Sequence, residues 1–152
     1  MGWPDYYARR DILDTAIETG ELRTGTAFAD ERELLLALRH RWSQRLTARV
    51  ELAELEHTDP VDAVGAAWRR TAEENPRLRA LLDEHADHPA LRPLVDAEHR
   101  RLARAAGLTE AGDSPDEEAS IGAAFVALQQ SAPAQPRRNP VERLLRRLVA
   151  SA

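Results

Sequence analysis

His85 and His88 stand three residues apart beside the acids Asp83, Glu84 and Asp87. On a helix that spacing turns two imidazoles toward one side, a common way to hold a metal ion. Glu54 and His57 repeat the Glu-x-x-His spacing of carboxylate-bridged di-metal bundles, and Asp96 with His99 offers an aspartate version. The competing reading needs less. His57 and His88 border helix ends, where polar side chains are common, and Pro89 follows His88 directly. A di-metal bundle also requires inward-facing acids on two further helices, and the apolar stripes of the first two helices supply none. His85 and His88 are therefore the metal candidates, the helix-boundary reading is preferred, and no cofactor is expected.

His99 lies four residues after Val95 and three before Leu102, on an apolar stripe. An imidazole in such a place is either a core residue with one hydrogen-bond partner or part of a pocket wall. Trp42 and Trp68 lie on the stripes of two other helices, where aromatic side chains ordinarily fill a core. Two indoles and an imidazole are hard to pack without gaps, and each carries a ring N–H that needs a partner when buried. Trp42, Trp68 and His99 are accordingly the candidates for a small-molecule pocket between the second, third and fifth helices, with a dry, filled core as the alternative. Trp3, Tyr6 and Tyr7 cluster near the N-terminus and suit a groove or a partner. No nucleophile motif, phosphate-cradling glycine loop or pair of catalytic carboxylates stands out, and Thr24-Gly25-Thr26 is too short for a phosphate loop. These residues point to binding and not to catalysis.

The elements that would position these side chains are helices. Apolar residues recur at steps of three and four, and no stretch alternates long enough for a strand. A first helix spans Asp5 to Thr19 and ends at Gly20. Asp30 with Glu33 forms a capping box for a second, the longest, with Leu35, Leu38, Trp42, Leu46, Val50 and Ala53 as its stripe to about His57. Asp59-Pro60 opens a third helix bearing Val64 and Trp68. Asn75-Pro76 breaks it and starts a fourth, His88-Pro89 opens a fifth that ends at Gly107, and Ser114-Pro115 opens a sixth. The chain reads as an all-α, single-domain bundle of six to seven helices over residues 1–131. A linker follows at 132–139, then a basic amphipathic helix over 140–152.

At 152 residues the chain is long enough to bury one core. With no cysteine it forms no disulfide or thiolate metal site. No basic and apolar leader opens it, and its longest uncharged stretch, Ala119 to Pro136, contains Gln129, Gln130, Ser131 and two prolines. No membrane span and a cytoplasmic location are expected. All 21 basic residues are arginine, which fits a GC-rich coding bias. From Ser131 onward five arginines face one glutamate, a net of +4; the remainder holds sixteen arginines against twenty-five acids, a net of −9. An acidic body of this kind is poorly suited to nucleic acid. The small residues Gly122, Ala123 and Ala127 invite close helix packing, and the tail's Leu144, Leu145 and Leu148 need covering. A homodimer through the last two helices is therefore expected, with Gly122, Phe125, Leu144, Leu145 and Leu148 as the contact residues.

Several segments resemble the TetR family of bacterial regulators. Asp11-Ile12-Leu13-Asp14-Thr15-Ala16 is similar to that family's opening helix, and Gly25-Thr26 with Phe28-Ala29-Asp30-Glu31-Arg32-Glu33-Leu34 to the end of its DNA-reading unit and its connecting helix. Asp59-Pro60-Val61 through Leu82 resembles its ligand-domain helices, and the sixth and seventh helices resemble its dimerisation helices. Between Leu13 and Phe28 there are too few residues for a helix-turn-helix, by about two helices, and the family's usual lysine is Glu31 here. The resemblance implies a helical dimer with an apolar ligand cavity and without DNA reading; it carries no fixed functional residue across. Three functions remain open: a regulator-like binding and dimerisation module for a small apolar ligand, an interaction adaptor that grips a partner with the C-terminal helix, and a metal-binding bundle.

The charge distribution makes one outcome specific. Fluorescence anisotropy with random duplex DNA at low salt should show only weak binding that disappears as salt is raised. Tight, salt-resistant binding would overturn this expectation.

Overall fold

The computed structural model describes residues 2–131 together with 148 and 149. Those residues form an all-α bundle with no strand: α1 (Trp3–Thr19), α2 (Glu31–Glu56), α3 (Pro60–Glu74), α4 (Pro76–Glu84), α5 (Arg92–Ala105) and α6 (Pro115–Ser131). The linker at 132–139 and most of the expected helix at 140–152, including Leu144 and Leu145, lie outside the described residues. No described helix is long and apolar enough to cross a membrane.

Local chemistry accounts for most boundaries. The Asp30 carboxylate accepts the Glu33 N–H at 2.8 Å while Glu33 reaches back to the Ala29 N–H, so the orphan amides of α2 are satisfied. Asp59 accepts from the N–H groups of Val61 and Asp62, with Pro60 at the first helical position, where no N–H is needed. Ser114 and Glu117 form a reciprocal box at the head of α6. Gly20 ends α1 at φ 73°, a left-handed conformation that other residues adopt at a cost.

Two starts differ from expectation. α1 begins at Trp3 and not Asp5, because the Asp5 carboxylate accepts the Gly2 N–H and Pro4 fits the first turn. α5 begins at Arg92 and not at His88-Pro89. Residues 88–91 instead close a turn, in which Leu91 N–H donates to the His88 carbonyl and Ala90 N–H to His88 Nδ1. Pro93 then takes the first-turn place that Pro89 was expected to hold.

The long α2 packs along α3, and α5 packs along α6; α3 touches both α5 and α6 and so joins the two pairs. The core runs along α2 through Leu34, Leu35, Leu38, Trp42 and Leu46 and meets Val64 and Trp68 of α3, Leu78, Leu81 and Leu82 of α4, and Leu102 of α5. Trp42 and Trp68 meet edge to face, with ring centroids 6.0 Å apart. That arrangement lets the positive edge of one indole meet the negative face of the other. Arg9 lies 4.2 Å from the centre of the buried Phe28 ring while bonding the Ala27 carbonyl and Glu33, which ties the loop before α2 down onto α1.

The small-residue stripe of α6 works inside the chain. Gly122 is buried against the backbone of α5, and a Cβ there would fall on the carbonyl of His99, well inside van der Waals contact. Phe125 is buried in the same core. Gly122 and Phe125, expected at a dimer interface, thus face their own α5 and core. The physical reason is that so close an approach of two helix backbones needs a residue without a side chain, and α5 takes that place. The remaining dimer candidate among the described residues, Leu148, is exposed.

Gly122→Ala should therefore force two helix backbones apart with no flexible side chain to absorb the clash. A loss of at least about 3 kcal/mol in urea unfolding, or no cooperative transition at all, is expected. A loss below about 1 kcal/mol would show that α5 and α6 do not pack this closely.

Candidate functional site

Two charged residues occupy stripe positions on helices that face each other. Arg39 comes four residues after Leu35 and three before Trp42 on α2, and Glu98 comes three after Val95 and four before Leu102 on α5. Both are 3% exposed, and Arg39 Nη2 lies 2.5 Å from Glu98 Oε2. The carboxylate receives two more donors from α2: Trp42 Nε1 on the same oxygen and Ser43 Oγ on the other, each at 3.3 Å. Burial lowers the pKa of Arg39 from its ordinary value, opposed by the Glu98 charge and reinforced by Arg79 and Arg101. The pair is held by geometry and by three donors on one anion, which is what a charge in a low-dielectric place requires.

Behind this pair lies a cavity of about 190 Å³. Arg39 and Glu98 form its polar end; Leu82, Leu91, Val95 and Val126 form apolar wall, and Trp68 and His99 line it as well. Ala123 and Ala127 of α6 also border it, and their short side chains leave the space unfilled. Arg79 adds a second guanidinium, 4.4 Å from the Trp42 ring centre and 6.0 Å from that of Trp68, anchored by Asp83 at 2.8 Å.

Two buried donors among the described residues have no acceptor, Arg39 Nε and Trp68 Nε1, and both belong to side chains of this wall. Buried N–H groups are nearly always paired, so two orphans on one cavity call for an explanation. His99, half-buried, has its pKa held below the ordinary histidine value by burial; Glu98 and Asp96 oppose this, and Arg39 and Arg79 reinforce it. The imidazole is therefore neutral at pH 7, able to donate or accept one hydrogen bond without adding charge.

The structure thus places Trp68 and His99 on one cavity and leaves Trp42 beside it, fully buried and bonded to Glu98. Sequence reasoning missed Arg39, Glu98 and Arg79. Opposite charges at stripe positions of α2 and α5 were the available signal for the first two; His99 had been placed on the stripe where its neighbour Glu98 is the deeper residue. His85 and His88 are not brought together as ligands. His85 Nδ1 lies 3.0 Å from the Leu81 carbonyl and His88 Nδ1 accepts the Ala90 N–H, so each ring serves its own turn. Among the described residues no three His, Cys, Asp or Glu side chains converge as a metal site.

Comparison of the chain with models of protein families, with curated proteins and with solved structures finds no match.

The position of His99 sets a pH dependence. Its folded-state pKa lies below its unfolded value of about 6.5, so the unfolded chain binds the extra proton first and stability falls as pH drops through that region. Urea unfolding at about pH 7.5 and about pH 5.5 should show a smaller loss for His99→Gln than for the unmodified protein. Equal losses would mean that His99 is no better solvated on unfolding.

Proposed function

We propose that this bundle is a non-enzymatic binding module that takes a small, largely apolar ligand between α3, α4, α5 and α6. The single observation that carries the reading is the cavity of about 190 Å³ with apolar walls, two unpartnered buried N–H groups and a neutral imidazole. Small-molecule sites usually take this form, an apolar hollow with a few placed polar groups. The volume suits a compact ligand, since a dry cavity of about 150 Å³ already accepts benzene. We extend the proposal to a regulator-like role in the cytoplasm, on the segments that resemble the TetR family. In that reading the module is a homodimer. Its contact would use the outer face of α6, where Ala124 and Leu128 are exposed, together with Leu148 and the C-terminal segment.

A second reading, an interaction adaptor, is favoured by a different observation. Trp3, Tyr6 and Tyr7 are exposed, Trp3 at 75%, yet they pack on one another with centroids 5.5 to 6.2 Å apart. A preassembled aromatic patch at the head of α1 suits a partner protein.

A thermal-shift screen of small ring compounds separates the two. Hits that raise the melting temperature, together with a cost below about 3 kcal/mol for Trp68→Ala, are expected for a ligand-ready cavity. No hit, with a cost of about 3–5 kcal/mol for Trp68→Ala, is the behaviour of a filled core and would remove the ligand reading.

A further inference from the structure

α1 is lightly attached to the bundle. Of its side chains only Ala16 is fully buried, and it touches α2 only along a short stretch. Between the two helices an open groove of about 730 Å³ remains. Leu13 of α1 and Ala37 of α2 give it apolar lining, and Arg9, Arg10, Arg41 and Arg45 line it as well. Among the described residues that line it, Asp14 is the one carboxylate. The four guanidiniums are unequally engaged. Arg9 is held by Glu33 at 2.9 Å and by the Ala27 carbonyl, and Arg41 by Asp14 at 2.5 Å. Arg10 reaches that same Asp14 only at 3.9 Å, and Arg45 bonds the neutral side-chain amide of Asn75. Two carboxylates thus serve four cations, and the two least neutralised, Arg10 and Arg45, are both exposed. Outside this group of six charges, residues 1–130 hold twelve arginines against twenty-three acids. The groove is a positive island on a negative body.

Such an island selects its occupant by extent as well as by sign. A long polyanion such as a nucleic-acid strand would carry its charge past the groove onto acidic surface, where like charges repel. A short acidic segment keeps its charge within the groove. Trp3, Tyr6, Arg10 and Leu13 follow one another at steps of three and four, so the exposed aromatic cluster continues into the groove along one face of α1. That face asks for apolar side chains on the same segment, and tryptophan, tyrosine and arginine are the residue types that most often dominate binding at protein interfaces. Two neighbouring helices with an apolar trough between them offer the seat of a third. Deepening the adaptor reading, on which it rests, we infer that the groove between α1 and α2 docks a short acidic amphipathic helix of a partner protein. Its carboxylates meet Arg10 and Arg45, and its apolar face meets Tyr6, Leu13 and Ala37.

Fluorescence anisotropy of the full chain with a labelled amphipathic peptide of glutamate, leucine and phenylalanine tests the assignment. The comparisons are the same peptide with glutamine for glutamate, which has nearly equal helix propensity, and single-stranded oligothymidylate. At low salt the glutamate peptide should bind at least about tenfold more tightly than the glutamine peptide, and the difference should shrink as salt is raised. Arg10→Gln and Arg45→Gln should each weaken it about threefold, and together about tenfold. Arg77→Gln, the same change of charge at an exposed position on α4, should leave it within about twofold. Tyr6→Ala, also at an exposed position, should weaken both peptides about fivefold or more. Equal binding of the two peptides, each weakened by Tyr6→Ala, would overturn the acidic assignment and leave the adaptor reading standing. Oligothymidylate bound more tightly than the glutamate peptide would refute it in favour of nucleic acid. Glutamate-peptide binding that survives the double arginine variant, or that Arg77→Gln lowers equally, would place the contact elsewhere and refute it too. Binding of neither peptide would remove both the inference and the adaptor reading beneath it.

Discussion

Glu98 and Arg39 are the contact on which the arrangement of α2 and α5 depends. A carboxylate and a guanidinium this deeply buried are each costly to take out of water, and the cost is recovered only where partners are fully arranged. Three donors from one face of α2 meet the Glu98 carboxylate of α5. Removing either charge would leave the other uncompensated, which typically costs about 3–5 kcal/mol. A contact with that penalty for misplacement selects one register of α5 against α2, where leucines alone would tolerate several. Trp42 is held by the same carboxylate, so the indole pair at the centre of the core inherits the register.

From this anchor the position of α6 follows. Glu98 and His99 are adjacent on α5; the side chain of the first is fixed on α2, and the main chain of the second receives Gly122 of α6. The absence of a side chain at Gly122 lets the two backbones approach, and the neighbouring Ala123 and Ala127 are too short to fill the space that opens beside the contact. Tight packing at one point and a hollow next to it therefore have one cause. Cores are close-packed, and a hollow with apolar walls and two unpaired donors is not what efficient filling produces. That contrast is the physical basis of the ligand reading.

The outer ion pairs hold the surface helices in place but do little for stability. Arg41 with Asp14, and Arg49 with Glu74, bind at 2.5 Å on solvent-facing sides, where screening keeps such pairs near 0–1 kcal/mol. The buried pair differs through its environment, not its distance.

The helices were legible because their causes are local. Caps at Asp30, Asp59 and Ser114, prolines in first turns and the three-and-four spacing of α2 act within a few residues, so the sequence alone determined the all-α class and nearly every boundary. The start of α5 was misplaced because Pro89 and Pro93 both suit a first turn, and the His88 turn decides between them. The site was only half legible. Trp68 and His99 were singled out by helical spacing, but that spacing assigns a face and not a depth, so it did not mark Glu98 and Arg39 as buried; their pairing depends on α2 and α5 being set against each other. Gly122 and Phe125 were expected against a second chain and instead face their own α5 and core, since a small-residue stripe specifies a close neighbour without naming it. Only the tertiary structure, through the pairing of opposite charges from distant parts of the chain, decided which residues are buried, which helix Gly122 meets and where the space remains.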